Sequence, residues 1–247
     1  MRETVEQKAS SYRWLVLLVI FFTHITLNIL IFQIGGLASL LIPALQILPT
    51  QLAMVLSIPM LTCAIFGIPA GGLADRFGVK RVVGVGLILS TIGSFGRIGA
   101  NSFGVLLAWM FILGFGLACL NANAVKILGA WFPPRQIGLA MGIYVAGACT
   151  GITIALATSA LFSSRQSAFT ASAIMLLGAT VLWLLFIKSK PADAPDLPLQ
   201  PFTEYLGVAA KSKYVWIGAT ALFFMMGTFV TQSGFLPNAL TQGKGID

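Results

Sequence analysis

Residues 14–74 read WLVLLVIFFTHITLNILIFQIGGLASLLIPALQILPTQLAMVLSIPMLTCAIFGIPAGGLA and contain no Asp, Glu, Lys or Arg. A helix crosses the hydrocarbon core in about 20 residues. This 61-residue run therefore crosses twice, with a hairpin between. Pro49 and Thr50 mark the restart: the proline cannot continue the first helix, and Thr50 can cap the second. The composition agrees. Of 247 residues, 57% are hydrophobic and 9% charged, where a soluble domain carries about 25% charge. Mean hydropathy is +0.93. A soluble enzyme, a disordered chain and a disulfide scaffold are excluded on this ground. What remains is an all-α integral membrane protein; segments alternating in the manner of a β-barrel are absent.

Further charge-poor runs at 82–96, 98–125, 136–164, 166–187 and 214–243 each fit one crossing, because lipid leaves backbone amides no partner outside their own helix. Seven spans are predicted, at 14–40, 50–72, 82–100, 104–128, 137–162, 167–187 and 214–237. Twelve of the 15 Lys and Arg residues then fall on one side. They are Arg2, Lys8 and Arg13; Arg76, Lys80 and Arg81; Lys126 and Arg135; and Lys188, Lys190, Lys211 and Lys213. Only Arg97, Arg165 and Lys244 fall on the other. The positive-inside rule puts the N-terminus in the cytoplasm and, with seven spans, the C-terminus outside a cell (inner or plasma) membrane. The net charge of +8 is thus topological, and nucleic acid is not implied as a partner. The first apolar run is too long for a signal peptide and continues into a second span, so it is the first helix of the protein. Cys63, Cys119 and Cys149 lie inside spans with no metal or disulfide spacing, and no cofactor is expected.

Three segments follow. Residues 1–188 form a six-helix transmembrane bundle. Residues 189–213 hold four of the eleven prolines and read as a cytoplasmic linker, with a short amphipathic helix near 202–210. Residues 214–247 supply a lone seventh helix.

The turn between spans two and three is Gly71-Gly72-Leu73-Ala74-Asp75-Arg76-Phe77-Gly78-Val79-Lys80-Arg81. Gly78 permits the tight reversal that so short a turn needs. Asp75 is the only acidic residue between Glu6 and Asp193, hence the one anion available to a helix N-terminus or a nearby cation. This run resembles the signature loop of the major facilitator superfamily, departing from it at Val79, where the family has arginine. Trp131-Phe132-Pro133-Pro134-Arg135 and Gly138-Leu139-Ala140-Met141-Gly142 resemble the turn between spans four and five, closest in look to bacterial nitrate, nitrite, cyanate and organic-anion porters. Gly234-Phe235-Leu236-Pro237-Asn238 resembles the family's seventh span.

The resemblance implies alternating access, in which two six-span bundles rock around a midplane site. It makes Gly71, Asp75, Arg76, Gly78, Lys80 and Arg81 a gating motif. It also makes 214–247 the first helix of a second bundle that is otherwise missing, so the expectation is a truncated chain whose partner would be the absent C-terminal bundle. In span five, Gly138, Gly142, Gly147 and Gly151 nearly share a face. Small residues let helices approach closely in lipid. That face serves either packing within the bundle or, as the family implies, contact with span eight of the other half.

Polar groups within lipid are costly and face the bundle interior. His24, the only histidine, and Asn28 are four apart on one face of span one. His24 reads as a cargo or proton ligand in preference to a structural bond. In span four, Asn123 and Lys126 share a face, while Asn121 points about 200° away from Asn123. Lys126, a turn from the end of its span, fits snorkelling better than cargo binding. Arg97 is read as an interface anchor. Gln33 stays open, and Tyr144 is either a cavity donor or a packing aromatic. The expected cavity set is His24, Asn28, Asn123, Lys126 and Tyr144.

No acidic residue lies within a span. A cation carrier needs a buried carboxylate to offset its cargo, so the cargo expected is a small anionic or neutral polar solute, with membrane lipid as the other contact. The function expected is secondary active transport. A seven-span receptor is the alternative, weakened because the last span has no lysine for a retinal Schiff base and the loop at 71–81 has no role there. With one histidine and no intramembrane carboxylate, an enzyme is not expected.

Overall fold

The computed structural model describes residues 11–189, 211–221, 223–225 and 227–228. It falls into two units, residues 1–195 and 196–247. In the first, six helices are long and apolar enough to cross a membrane. They are α1 (Tyr12–Gly36), α3 (Pro49–Phe77), α4 (Val79–Gly96), α5 (Phe103–Trp131), α6 (Pro134–Ser159) and α7 (Arg165–Phe186); a short α2 (Ala38–Leu45) follows α1. In the second unit an apolar helix, α8, runs Lys213–Met225. Beyond α8 only residues 227–228 of the expected seventh span are described; the surface helix at 202–210 and the motif at 234–238 lie outside the described residues.

The expected first span, 14–40, is broken. Gly35 and Gly36 are poor helix formers, and α1 stops at Gly36, where an added Cβ would meet the Ser159 side chain. Leu37 (φ −95°, ψ 15°) turns the chain into α2, and Gln46, at φ 50°, ends it in the left-handed region. The restart at Pro49 is as expected, but its cap is not. Gln51 Oε1 accepts from the Leu48 amide at 2.8 Å, while Thr50, being already inside the first turn, does not cap. Pro134 opens α6 three residues before the expected start, since proline is pre-set for the first helical position. Ser102 and Ser164 cap α5 and α7 by accepting from the Val105 and Ser167 amides.

Between α3 and α4 stands a single residue, Gly78, with φ +88°. Nothing lies within 4 Å of where its Cβ would be, so the backbone angle alone demands glycine. In the bundle, α5 packs between α3 and α4, α1 packs along α6 and α7, and α7 also meets α4. The most deeply covered helix is α1; α3 and α6 are the least. One end of the bundle gathers Arg13, Arg76, Lys80, Arg81, Lys126, Arg135 and Lys188. There Tyr12 Oη donates to the Phe186 carbonyl, Trp131 Nε1 to the Lys188 carbonyl, and Trp183 Nε1 to the Lys80 carbonyl. The other end holds Arg97 and Arg165, the latter bonded to the Ala100 carbonyl.

Candidate functional site

Near the middle of α1, His24 is buried and its ring stacks on Tyr144 of α6, with centroids 4.2 Å apart and planes 10° apart. Its Nδ1 lies 2.9 Å from the Tyr144 carbonyl oxygen. A carbonyl only accepts, so Nδ1 carries the hydrogen, and the neutral ring keeps Nε2 as an acceptor. Tyr144 Oη donates to Asn121 Oδ1 at 2.5 Å, and Asn121 Nδ2 faces Cys63 Sγ at 3.9 Å. Asn121 is exposed where His24 and Tyr144 are not, so the chain His24–Tyr144–Asn121 leads from the α1–α6 seam to an open face. Close packing makes the seam: a Cβ on Gly151 would lie 2.4 Å from the Ile25 carbonyl, and one on Gly147 would lie 3.0 Å from the Phe21 ring. Gly138 and Gly142 have nothing within 4 Å. The glycine face of α6 is therefore half spent on α1 and half open.

The other expected cavity residues sit differently. Asn28 is buried, and its Nδ2 donates to the His24 carbonyl one turn back, at 2.8 Å. Asn123, expected in the cavity, is instead fully buried between α3 and α5. Its Nδ2 reaches the Cys119 carbonyl at 2.9 Å and the Ala70 carbonyl at 3.4 Å. The 200° separation of the two asparagines holds, but Asn121 takes the open face, because α3 covers the side on which Asn123 stands.

Lys126 is exposed and finds its partners in the turn at 71–81, with no bond to the His24 cluster. It bonds Asp75 Oδ1 at 2.5 Å and the Gly71 carbonyl at 2.8 Å. The expected gating motif is thereby tied to α5 through its carboxylate. The pair is 37% and 35% exposed, so its net worth is in the range of ~0–1 kcal/mol; its effect is to aim Asp75, not to hold the bundle together.

Arg97 overturns its reading as an interface anchor. It is fully buried. Its guanidinium donates to the Leu30 carbonyl at 2.6 Å, to Ser172 Oγ at 2.8 Å and to Gln33 Oε1 at 3.2 Å, and lies 4.4 Å from the Phe169 ring centroid. Gln33 also donates to the Ala168 carbonyl at 3.0 Å. A planar fork can bridge α1 and α7 in this way where a lysine could not. Only the chemistry of a lone arginine and glutamine in apolar spans could have flagged this cluster, and it does not say which helices meet.

The sequence model of the Major Facilitator Superfamily matches residues 15–247. The chain belongs to that superfamily. Among similar superfamily members, the hexuronate transporter of Bacillus subtilis is 28% identical over 214 residues, covering 80% of this chain and 49% of that protein. The nitrite extrusion protein of the same organism is 27% identical over 199 residues, covering 80% and 49%. A probable nitrate transporter of Staphylococcus epidermidis is 26% identical over 203 residues, covering 82% and 51%. This chain spans about half the length of these relatives. In fold it resembles a bacterial homolog of the human lysosomal transporter Spinster, solved inward-facing and unoccupied, with TM-score 0.73 and 20% identity over 96% of this chain and 57% of that one. Like other members of the superfamily, it is a multi-pass membrane protein of all-α architecture, a major-facilitator-type half-bundle with an apolar helix after it.

Proposed function

We propose that the chain forms the N-terminal half of a secondary active transporter for a small anion, working by alternating access against a second bundle. The observation that carries this is the placement of charge. Asp75 is the only carboxylate among the described residues, and it is engaged by Lys126 at one end of the bundle. The interior offers the polar side chains of His24, Tyr144 and Asn121, linked across α1, α6 and α5. A polar interior without a carboxylate suits an anion, since a buried negative group would repel it. The names of the nitrate, nitrite and hexuronate relatives support the same class. A neutral sugar is the second reading, supported by a glucose/galactose transporter of Brucella abortus, 29% identical over 194 residues.

In this reading the cation-rich end faces the cytoplasm of a cell (inner) membrane, by the positive-inside rule. His24 and the Tyr144–Asn121 pair face the cargo, and Asp75 with Lys126 sets the inner latch. The open half of the α6 glycine face, at Gly138 and Gly142, receives a helix of the second bundle. Residues 1–188 act as one bundle, 189–213 as the linker and 214–247 as the first helix of the next.

The test is uptake by cells expressing the whole reading frame that encodes this chain, with labelled nitrate, nitrite, a hexuronate and glucose compared. Accumulation of an anion competed by other anions, and not by glucose, is expected. Uptake of glucose alone would overturn the anion reading, and a frame ending at Asp247 that still transports would overturn the need for a second bundle.

A further inference from the structure

Between α3 and α4, floored by α5, lies a cleft of about 460 Å³. Its walls are Phe66, Leu73 and Phe77 from α3, Val85 and Leu89 from α4, and Phe115 from α5. It exists because α4 and α5 meet closely, a Cβ on Gly86 falling 2.7 Å from Cys119 Sγ. Meanwhile α3 and α4, joined only at Gly78, pack on α5 more than on each other. The volume would hold roughly fifteen waters at about 30 Å³ each, but an apolar cavity offers water no partners and stays dry. It needs a hydrocarbon occupant.

The length and the charge specify which. From Phe66 to Phe77 the helix rises about 16 Å at 1.5 Å per residue, about half of the ~30 Å hydrocarbon core and so the depth of one leaflet. At the end of the cleft beside the α3–α4 turn stands Arg81, the one charged residue that lines it. Arg76 lies 5.3 Å from the ring centroid of Phe77 in the same wall. Both arginines are exposed. The only salt bridge among the described residues, Asp75–Lys126, takes the only described carboxylate. The mouth therefore presents two cations, Arg81 and Arg76, that no acidic side chain among the described residues neutralises.

We propose that this cleft is a binding site for an anionic phospholipid of the leaflet on the Asp75 side, the cytoplasmic one in the orientation proposed above. One acyl chain lies along Phe77, Leu73 and Phe66, and the phosphate group sits against Arg81 and Arg76. Cations at the membrane surface favour anionic headgroups, and the apolar trough adds the burial of one chain.

The test is native mass spectrometry of the purified 247-residue chain in detergent, titrated with palmitoyl-oleoyl phosphatidylglycerol or with the matching phosphatidylcholine. The chain is expected to retain one phosphatidylglycerol in preference to phosphatidylcholine. Arg81→Gln should lower that preference about fivefold, the worth of one surface cation. Val85→Trp, at a residue that lines the cleft and is 58% exposed, should fill the trough and lower retention of both lipids. Arg165→Gln, at the opposite end, should change nothing. The proposal is overturned if Arg81→Gln and Val85→Trp both retain phosphatidylglycerol as the unmodified chain does, or if phosphatidylcholine binds equally. It is also overturned if the unmodified chain is a dimer that Val85→Trp dissociates without altering lipid, since a second copy would then fill the cleft.

Discussion

The imidazole of His24 lies flat on the phenol of Tyr144, 4.2 Å away, and bonds the carbonyl of the same tyrosine. One residue of α6 thus holds the histidine by both its ring and its backbone. The backbone contact fixes the tautomer, and the ring contact fixes the plane. Replacing His24 with alanine in a full-length transporter should lower uptake at least about tenfold, equivalent to ~1.4 kcal/mol of transition-state stabilisation, with insertion into the membrane intact. Asn28→Ala should do less to cargo, because its amide is spent on its own helix. Uptake by both variants in membranes carrying equal amounts of protein decides this; normal transport by His24→Ala removes the cluster from the cargo path.

Tyr144→Phe keeps the stack and deletes the bond to Asn121. Its effect isolates the hydroxyl, so half-saturation should rise several-fold with little change in thermal stability, a neutral hydrogen bond being worth about 1 kcal/mol. An unchanged half-saturation would leave Tyr144 as packing alone.

Arg97→Met should be the more damaging change to folding. It strips the Leu30 carbonyl, Ser172 and Gln33 of their shared donor in a fully buried site, at roughly 1–3 kcal/mol for each group left unpaired. Melting in detergent should fall well below that of Arg165→Gln. Arg97→Lys should recover only part, because an ammonium cannot fork to Leu30 and Ser172 while lying over Phe169. Equal melting of the two outer-end variants would refute a pinning role.

These three cases mark what the residues could tell in advance. The crossings were legible because charge is excluded from lipid, and the uncharged run at 14–74 admits few alternatives. Gly78 was legible because a short turn needs a tight reversal, but the expected span ends at 72 and 82 left a longer gap than the single residue observed. Arg97 was not, since a cation near the end of an apolar run looks alike whether it points to headgroups or to Gln33 and Ser172, which arrive from other helices. Helical angles separated Asn121 from Asn123 correctly. They could not say which of the two α3 would bury, a matter of how α3 lies across α5. The pairing of Lys126 with Asp75 was not legible for a related reason: the two are 51 positions apart, and only the fold brings them together.

Asp75→Asn should leave the fold nearly as stable, since the Lys126 pair is exposed and worth at most ~1 kcal/mol. The maximal transport rate should fall with half-saturation unchanged, as expected of a latch that acts on cycling. A shift in half-saturation alone would contradict that role.

Gly151→Val should unfold or loosen the seam between α1 and α6, because its Cβ meets the Ile25 carbonyl at 2.4 Å. Gly142→Val should be silent for stability, having nothing within 4 Å. If the open half of the glycine face meets a second bundle, Gly142→Val should nevertheless stop transport. Equal melting of the two variants would show that the face is not divided as described.

The one-residue joint at Gly78 has a mechanical corollary. A hinge with no slack works as a stiff crank: when the end of α3 swings or rolls, α4 is dragged with it, and so is whatever leans on α4. An insertion there, even of two or three flexible residues, would decouple the pair and let the signature turn idle while the helices stay upright. In the transport cycle proposed above, that tight corner is the transmission element, and its tolerance to lengthening gauges how much torque the turn conveys.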